Sequence, residues 1–184
     1  MKLMARRPFL ALALGLAFLG GNVPGPAMAK ERRAPKSSHV LFVCTGNFYR
    51  SRFAEAIFKA HATSGELTAS SRGLDTSKPR DAGVSPLVVD ELIRLKIPAD
   101  VVAGYPRPLK REDLDAADVV VLLDGREHTP MLQKQFPQVD MTKVRQWSVK
   151  DVPAMAARDA FAEITRQVDL LVAELSARAS LPGK

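Results

Sequence analysis

The sequence is short of cysteine: its 184 residues include one, Cys44. A single thiol can neither form a disulfide within the chain nor provide the paired thiolates of a zinc site. The three histidines, His39, His61 and His128, lack the spacing to a carboxylate or to the cysteine that metal coordination requires. The sequence therefore predicts no disulfide, no bound metal and no cofactor. It places the histidines at the surface or in hydrogen-bonded positions within the fold.

The sequence also lacks any block of Lys and Arg interleaved with aromatic residues. Lys and Arg number 27 against 20 Asp and Glu, and the resulting net charge of +7 is spread along the chain. Nucleic-acid binding usually leaves a clustered basic footprint, so the charge pattern argues against a nucleic-acid partner. Internal repeats and low-complexity tracts are absent as well, which favours a single domain.

Long hydrophobic runs are missing too. An apolar run at residues 9–19 is shorter than the roughly 20 residues that a transmembrane helix needs. Basic residues precede it and Ala-Met-Ala follows at 27–29, a pattern typical of a cleavable signal peptide. We therefore expect residues 1–29 to be removed, leaving no stable membrane anchor and a protein that is periplasmic or secreted. Residues 6–10 fit the twin-arginine pattern, so the twin-arginine and general secretory routes both stay open.

Strand and helix patterns alternate along the rest of the chain. The strand candidates are 39–43, 67–71, 119–123 and 143–147. The helix candidates are 51–62, a helix that starts at 85–86, 110–116, 129–136, and a final helix from 154 onward. This alternation indicates an α/β fold with a parallel sheet. We predict a single-domain, doubly wound three-layer sandwich with a four-stranded parallel sheet at 39–179, preceded by a disordered leader at 30–38 and followed by a tail at 180–184.

Residues 44–51 read Cys-Thr-Gly-Asn-Phe-Tyr-Arg-Ser, between the first strand and the first helix. In such a loop the backbone N–H groups converge on one hollow, and the helix N-terminus adds its partial positive charge. The pattern C-x5-R-S therefore predicts a phosphate-binding loop after the first strand. Its members are Thr45, Gly46, Asn47, Phe48, Tyr49, Arg50 and Ser51.

The residue types in this loop suit chemistry on a phosphate. A thiol at a helix N-terminus ionises readily, so Cys44 is the candidate nucleophile. Arg50 offers a planar fork that matches two phosphate oxygens. Ser51 can donate its hydroxyl proton to the thiolate, and Gly46 and Asn47 tolerate the left-handed backbone of a tight anion nest. The alternative is that Cys44 is a small buried hydrophobe, but the matching residue types around it favour the catalytic interpretation.

Further polar residues fall at the carboxyl ends of other predicted strands, where sites in open α/β sheets lie. Asp151 is the candidate general acid, which would protonate the leaving oxygen and then activate water. Its alternative role is to cap the final helix. Ser71 and Asp124 are candidate supporting residues, and Asp124 could equally cap the turn that follows it.

The chain resembles the low-molecular-weight protein tyrosine phosphatases over roughly residues 39 to 176. The matching segments are 40–47, 50–51, 54–56, 71–73, 117–124, 136–137 and 147–151. The resemblance implies hydrolysis of a phosphorylated protein or a small phosphomonoester through a cysteinyl-phosphate, with Cys44, Arg50 and Asp151 as the catalytic residues and no metal.

Two features depart from the family pattern. Tyr49 occupies the loop position where members often carry a second cysteine. The family has Asp-Pro followed by aromatic residues, whereas here Val152 separates Asp151 from the proline and no aromatic residue follows. Phe48 and Tyr105 could replace the missing aromatic wall, or they could be ordinary packing residues.

Two other functions stay open at this point. One is an arsenate reductase-like enzyme, which would need an external thiol because the chain has no further cysteines. The other is a non-catalytic module that binds anions or phosphopeptides, and the altered segment after Asp151 is its only support.

Overall fold

The computed structural model describes residues 37–78 and 83–180. The predicted signal peptide, all but the last two residues of the predicted leader, and residues 181–184 of the predicted tail lie outside this part of the chain. Within the described ranges, no helix combines the length and the apolar character needed to cross a membrane.

Four parallel strands form one sheet in the order β2-β1-β3-β4. They are β1 Ser38–Cys44, β2 Leu67–Gly73, β3 Val119–Leu122 and β4 Val144–Gln146. Each strand lies within two residues of its predicted bounds. The four-stranded parallel sheet is confirmed, and its central strand β1 leads into the predicted phosphate-binding loop.

In the described part of the chain, five α-helices connect and cover the strands. They are α1 Arg50–His61, α2 Pro86–Arg94, α3 Arg111–Ala116, α4 Gly125–Gln135 and α5 Ala157–Ser180. Two short 3-10 turns, Ala99–Val102 and Met141–Lys143, complete the described elements.

Two helix starts differ from the prediction. Helix α4 begins at Gly125, four residues early, because Asp124 Oδ1 accepts a hydrogen bond from the Arg126 N–H at 3.1 Å and caps the helix. Helix α5 begins at Ala157 rather than 154. Helix α2 starts at Pro86 as predicted, and Ser85 before it makes no side-chain capping bond; its N–H donates to the Phe48 carbonyl at 2.9 Å.

The side chains of β1 alternate between the two faces of the sheet, as a strand requires. Val40, Phe42 and Cys44 face the side covered by α1, α2 and α5, whereas Leu41 and Val43 face the side covered by α3 and α4. All five are buried, which explains why β1 reads as a continuous apolar run. The three-layer prediction is therefore confirmed.

The carboxyl edge of the sheet gathers the polar residues. Strand β1 ends at Cys44, and α1 starts six residues later with Arg50. Asp124 lies between β3 and α4, and Asp151 lies in the segment between β4 and α5. Because the strands are parallel, these connections meet at one edge, the expected place for a site in an open α/β sheet.

Candidate active site

The loop between β1 and α1 forms a compact nest. Asn47 has a φ of +48°, in the left-handed region that asparagine tolerates better than most residues. The first turn of α1 carries no acidic side chain, so the partial positive charge of the helix N-terminus is not neutralised there. The nest is therefore suited to an anion.

Cys44 lies at the edge of the nest and contacts Ser51. The two atoms Cys44 Sγ and Ser51 Oγ are 3.0 Å apart. Asn47 Nδ2 donates to the same hydroxyl oxygen at 3.1 Å. Because the Ser51 oxygen accepts the Asn47 amide N–H, the Ser51 hydroxyl proton is free to point at the Cys44 sulfur. This orientation stabilises a thiolate.

Asn47 is the centre of a buried network. Its Nδ2 also donates to Ser71 Oγ at 2.8 Å, and Ser71 in turn donates to Glu55 Oε2 at 2.5 Å. Its Oδ1 accepts the backbone N–H of Arg107 at 2.9 Å. Ser71 thus supports the loop through Asn47, and the fully buried amide holds the left-handed turn in place.

Arg50 begins α1, and its side chain is 1% exposed. Nη1 donates to the Val149 carbonyl at 2.9 Å. Nη2 donates to Glu127 Oε2 and to Asp151 Oδ2, each at 3.1 Å. Nε has no partner in the described part of the chain. Since a buried N–H without a partner is costly, Nε–H is available to an anion that enters the site.

Asp151 joins the site from the segment that precedes α5. Besides its contact with Arg50, it accepts the Val152 N–H through Oδ1 at 2.8 Å, and half of its side chain is exposed. It does not cap α5, which starts six residues later. A half-exposed carboxyl beside the nest can exchange protons with solvent and with a bound ligand.

A cavity of about 280 Å³ opens between these groups. It is lined by Cys44, Gly46, Phe48, Tyr49, Arg50, Ser85, Leu87, Asp151 and Val152. Its apolar and aromatic walls therefore come from two aromatic residues, Phe48 and Tyr49, and two aliphatic side chains, Leu87 and Val152. Tyr105 is 71% exposed and does not line the cavity, so it does not replace the missing aromatic wall.

Tyr49 packs inward from the loop. Its ring lies edge-on against Phe161 of α5, with ring centroids 5.3 Å apart. Burial, followed by the negative charge of Asp151, raises the pKa of Tyr49 to about 12. The phenol therefore stays neutral at physiological pH, and it occupies the loop position at which members of the family often carry a second cysteine.

Two residues of α4 that sequence reasoning did not select also belong to the site. The Thr45 hydroxyl donates to Glu127 Oε1, and His128 Nε2 lies 3.2 Å from the same hydroxyl. Burial acts to raise the pKa of Glu127, but the Thr45 hydrogen bond and the Arg50 charge outweigh it and lower the pKa. Burial and then Arg50 lower the pKa of His128 to about 4, so its ring is neutral near pH 7.

Asp124 supports this corner through its backbone. Its N–H donates to His128 Nδ1 at 3.0 Å, while its carboxylate caps α4. Asp124 therefore lies next to the site without contacting Cys44 or Arg50. Of the two roles predicted for Asp124, the capping role is the one that the geometry shows.

The arrangement of a thiol in an anion nest, an arginine and an acid has a sequence counterpart. The family described as low molecular weight phosphotyrosine protein phosphatase matches residues 39–179. The chain belongs to the low molecular weight phosphotyrosine protein phosphatase family. In this family member, Cys44, Arg50 and Asp151 are among the residues that line one cavity.

A curated relative is the protein-arginine-phosphatase of Bacillus subtilis (strain 168). It is 31% identical over 97 residues, which make up 53% of this chain and 62% of that protein. The matched region thus spans less than two thirds of that relative.

Solved structures of other phosphatases share the fold over most of the chain. The low molecular weight protein tyrosine phosphatase from T. tengcongensis is 27% identical, with a TM-score of 0.61, and the match covers 77% of this chain and 99% of that one. The structure of a YwlE mutant from Bacillus subtilis is 25% identical, with a TM-score of 0.64 and coverage of 76% and 99%.

A thioredoxin-dependent arsenate reductase from Corynebacterium glutamicum shares the fold alone. Its identity is 20%, its TM-score 0.59, and the match covers 79% of this chain and 65% of that one. The family to which this chain belongs and this reductase therefore use a common scaffold, and the site residues must distinguish their chemistry.

Proposed function

We propose that the protein is a metal-free phosphatase that hydrolyses phosphomonoesters of the phosphotyrosine type through a cysteinyl-phosphate intermediate. The observation that carries the proposal is the meeting of the Cys44 thiol, Arg50 and Asp151 around one cavity. The unpartnered Nε–H of Arg50 adds a donor for a phosphate oxygen. Membership of the phosphatase family supports the same assignment.

In the first step, the Cys44 thiolate attacks phosphorus and the bond from phosphorus to the leaving oxygen breaks. Asp151, protonated at this stage, gives its proton to that oxygen, so the alcohol or phenol leaves neutral. The loop N–H groups and Arg50 hold the three remaining phosphoryl oxygens and stabilise their charge in the transition state.

In the second step, the ionised Asp151 takes a proton from a water molecule whose oxygen attacks phosphorus. The sulfur–phosphorus bond breaks, inorganic phosphate forms, and Cys44 leaves as a thiolate. The Ser51 hydroxyl, 3.0 Å from the sulfur, donates its proton toward the developing negative charge and makes the thiolate a better leaving group.

The walls of the cavity indicate the substrate class. Phe48, Leu87 and Val152 present apolar surface beside the nest, which suits an aromatic or otherwise apolar leaving group on a phosphorylated protein or a small phosphomonoester. Because one relative is named a protein-arginine-phosphatase, a phosphoarginine peptide is the second substrate to compare with a phosphotyrosine peptide.

The test is hydrolysis of p-nitrophenyl phosphate and of both peptides by the parent protein and by Cys44→Ser. We expect the parent to turn over, and Cys44→Ser to lose turnover while keeping its fold and its affinity for vanadate, since a serine hydroxyl is too weak an acid to ionise here. More than trace activity in a folded Cys44→Ser protein would rule out the cysteinyl-phosphate.

Two other results would redirect the proposal. A parent protein that binds vanadate but hydrolyses none of the three substrates would be a binding module. Reduction of arsenate in the presence of a small external thiol, without phosphatase activity, would make the protein a reductase that borrows its second thiol.

We also propose that residues 1–29 direct export and are removed after Ala29. The support is the basic segment, the short apolar run and the Ala-Met-Ala pattern at 27–29. Amino-terminal sequencing of protein from the periplasm should then begin at Lys30. Protein that keeps Met1 and stays in the cytoplasm would contradict this proposal. A second experiment distinguishes the two export routes: replacement of Arg6 and Arg7 by lysine would block export only on the twin-arginine route.

A further inference from the structure

The Arg50 guanidinium has more partners than a phosphate-binding arginine can keep. A planar arginine binds a phosphate through two parallel N–H groups on one edge, and one such edge joins Nε to Nη2. Nε–H is unpartnered, but Nη2 already donates to both Glu127 and Asp151 at 3.1 Å. Because Nη2 carries two hydrogens, a phosphate that uses this edge must displace one of the two carboxylates.

The surroundings of Asp151 suit the residue that yields. Asp151 lines the cavity into which a phosphate would enter, and it belongs to no helix or strand. Apart from Arg50, its side chain is held only by the N–H of the next residue, Val152. Release from Arg50 also leaves its carboxyl free for the leaving oxygen.

The surroundings of Glu127 suit the residue that stays. Glu127 is not part of the cavity lining, and it lies in the first turn of α4, where a negative charge is favourable. Its second oxygen, Oε1, accepts the hydroxyl proton of Thr45. The Glu127 carboxylate therefore links Thr45, next to the nucleophile, to Arg50 at the other end of the loop.

His128 gives this connection a direction. Its Nδ1 accepts the Asp124 N–H, so in the neutral ring the proton is on Nε2. Nε2–H then points at Thr45 Oγ1, 3.2 Å away, and the Thr45 hydroxyl proton is left for Glu127. A chain of donors runs from the Asp124 N–H, just before α4, through His128 and Thr45 to Glu127, whose remaining oxygen faces Arg50.

We propose that Glu127 is a positioning residue that holds Arg50 and Thr45 in their phosphate-binding geometry, whereas Asp151 is the carboxylate that Arg50 gives up when a phosphate binds. The effect of these two roles on turnover rests on the proposed phosphatase function, but their effect on anion binding does not. The two carboxylates contact the same nitrogen, but phosphate binding should weaken only when Glu127 is replaced.

The experiment measures the affinity of the full mature protein for inorganic phosphate by calorimetry. Glu127→Ala should weaken phosphate binding by about tenfold or more, the usual effect of losing a hydrogen bond to a buried charge. Glu127→Gln, which keeps an acceptor but loses the charge, should weaken it less. Asp151→Asn should leave phosphate binding unchanged or tighter, because the competing negative charge has gone.

Glu163→Gln is the matched control. Glu163 also lies on a helix and forms an ion pair with an arginine, since its Oε1 is 2.6 Å from Arg166 Nη2. This pair lies away from the site. It should bind phosphate like the parent. Circular dichroism and thermal unfolding establish that each variant is folded, and Glu127→Gln keeps the test decisive if Glu127→Ala does not fold.

Folded Glu127 variants that bind phosphate as tightly as the parent, or more tightly, would overturn the proposal, because Glu127 would then be a structural residue or a competitor. Weakening by Asp151→Asn equal to that of Glu127→Ala would also overturn it. If only the Glu127 variants weaken phosphate binding but the parent hydrolyses no phosphomonoester, the positioning role stands and the phosphatase function fails.

Discussion

Asp151 reaches the site from a segment that contains no helix or strand. The proline that follows it in the sequence comes one residue later than in the family pattern. The side chain nevertheless lies 3.1 Å from Arg50 and lines the cavity. The inserted Val152 adds an apolar wall and donates its N–H to the carboxylate. At the scale of single residues, the altered sequence therefore still places the proposed acid at the cavity.

Asp151→Asn should lower kcat by about 10²- to 10⁴-fold, the usual contribution of general acid–base catalysis. The loss should be smaller for p-nitrophenyl phosphate, whose leaving group needs no proton, than for a phosphotyrosine peptide. Steady-state kinetics on both substrates measure this difference. Asp159→Asn, at an exposed position in the first turn of α5, is the control and should match the parent. Equal rates for Asp151→Asn and parent would mean that the acid lies elsewhere.

The residues of the site differ in how visible they are in the sequence. Cys44, Arg50 and Ser51 stand in one short loop, so spacing alone selects them. Glu127 and His128 enter the site because α4 begins against that loop, a contact between distant parts of the chain that no local pattern reports. The one signal that could have found the helix start is Asp124 followed three residues later by Glu127, a spacing typical of a capped helix.

At the scale of elements, the end of β2 acts as a support for the nest. The Leu74 N–H donates to the Cys44 carbonyl at 3.0 Å, and the Asp75 N–H to the Thr45 carbonyl at 2.8 Å. Gly73 brings the strand so close that a Cβ there would lie 2.9 Å from the Thr45 carbonyl oxygen and 3.0 Å from the Asn47 nitrogen. The loop thus packs directly against the backbone at the end of β2, and a side chain at position 73 would displace it.

Gly73→Ala should therefore lower the free energy of unfolding by about 1–3 kcal/mol, the range for overpacking, and weaken phosphate binding as the loop shifts. Urea unfolding and phosphate calorimetry measure the two effects. Gly65→Ala is the matched control, because a Cβ at that position meets no atom within 4 Å. If Gly73→Ala kept both the stability and the phosphate affinity of the parent, the close approach of β2 would have no role in shaping the nest.

Element boundaries show where local patterns lose information. The β-strands are within two residues of their predictions because continuous apolar runs mark them directly. The start of α4 was predicted four residues too late because its first turn is polar and carries little periodic signal. The start of α5 was predicted three residues too early. For α4 this mattered to the description of the site, since the four missed residues include Glu127.

At the scale of the whole molecule, one buried histidine couples stability to pH. His128 is fully buried, and its pKa falls from the ordinary 6.5 to about 4. Between these values the unfolded chain binds a proton at His128 and the folded protein does not, so protons favour unfolding. The stabilisation is complete above pH 6.5 and is lost as the pH falls toward 4.

The free energy of unfolding should thus decrease by on the order of 3 kcal/mol from this group as the pH falls from 6.5 to 4. Urea unfolding at a series of pH values measures the slope. His128→Gln, which cannot titrate, should have a shallower slope than the parent, whatever its stability at pH 7. A slope in His128→Gln equal to that of the parent would assign the pH dependence to carboxylates instead.

The single cysteine provides a labelling site specific for the cavity. Because the chain contains one cysteine and that cysteine lines the cavity, a thiol-selective alkylating reagent can react only at the cavity. Mass spectrometry of the alkylated protein should then show one added group per molecule that has an accessible Cys44. The labelled fraction gives the number of reactive sites in a preparation, with no other cysteine to contribute to the signal. The rate of that alkylation also reports how often the cavity is empty, so occupancy by any ligand can be followed without a chromogenic substrate.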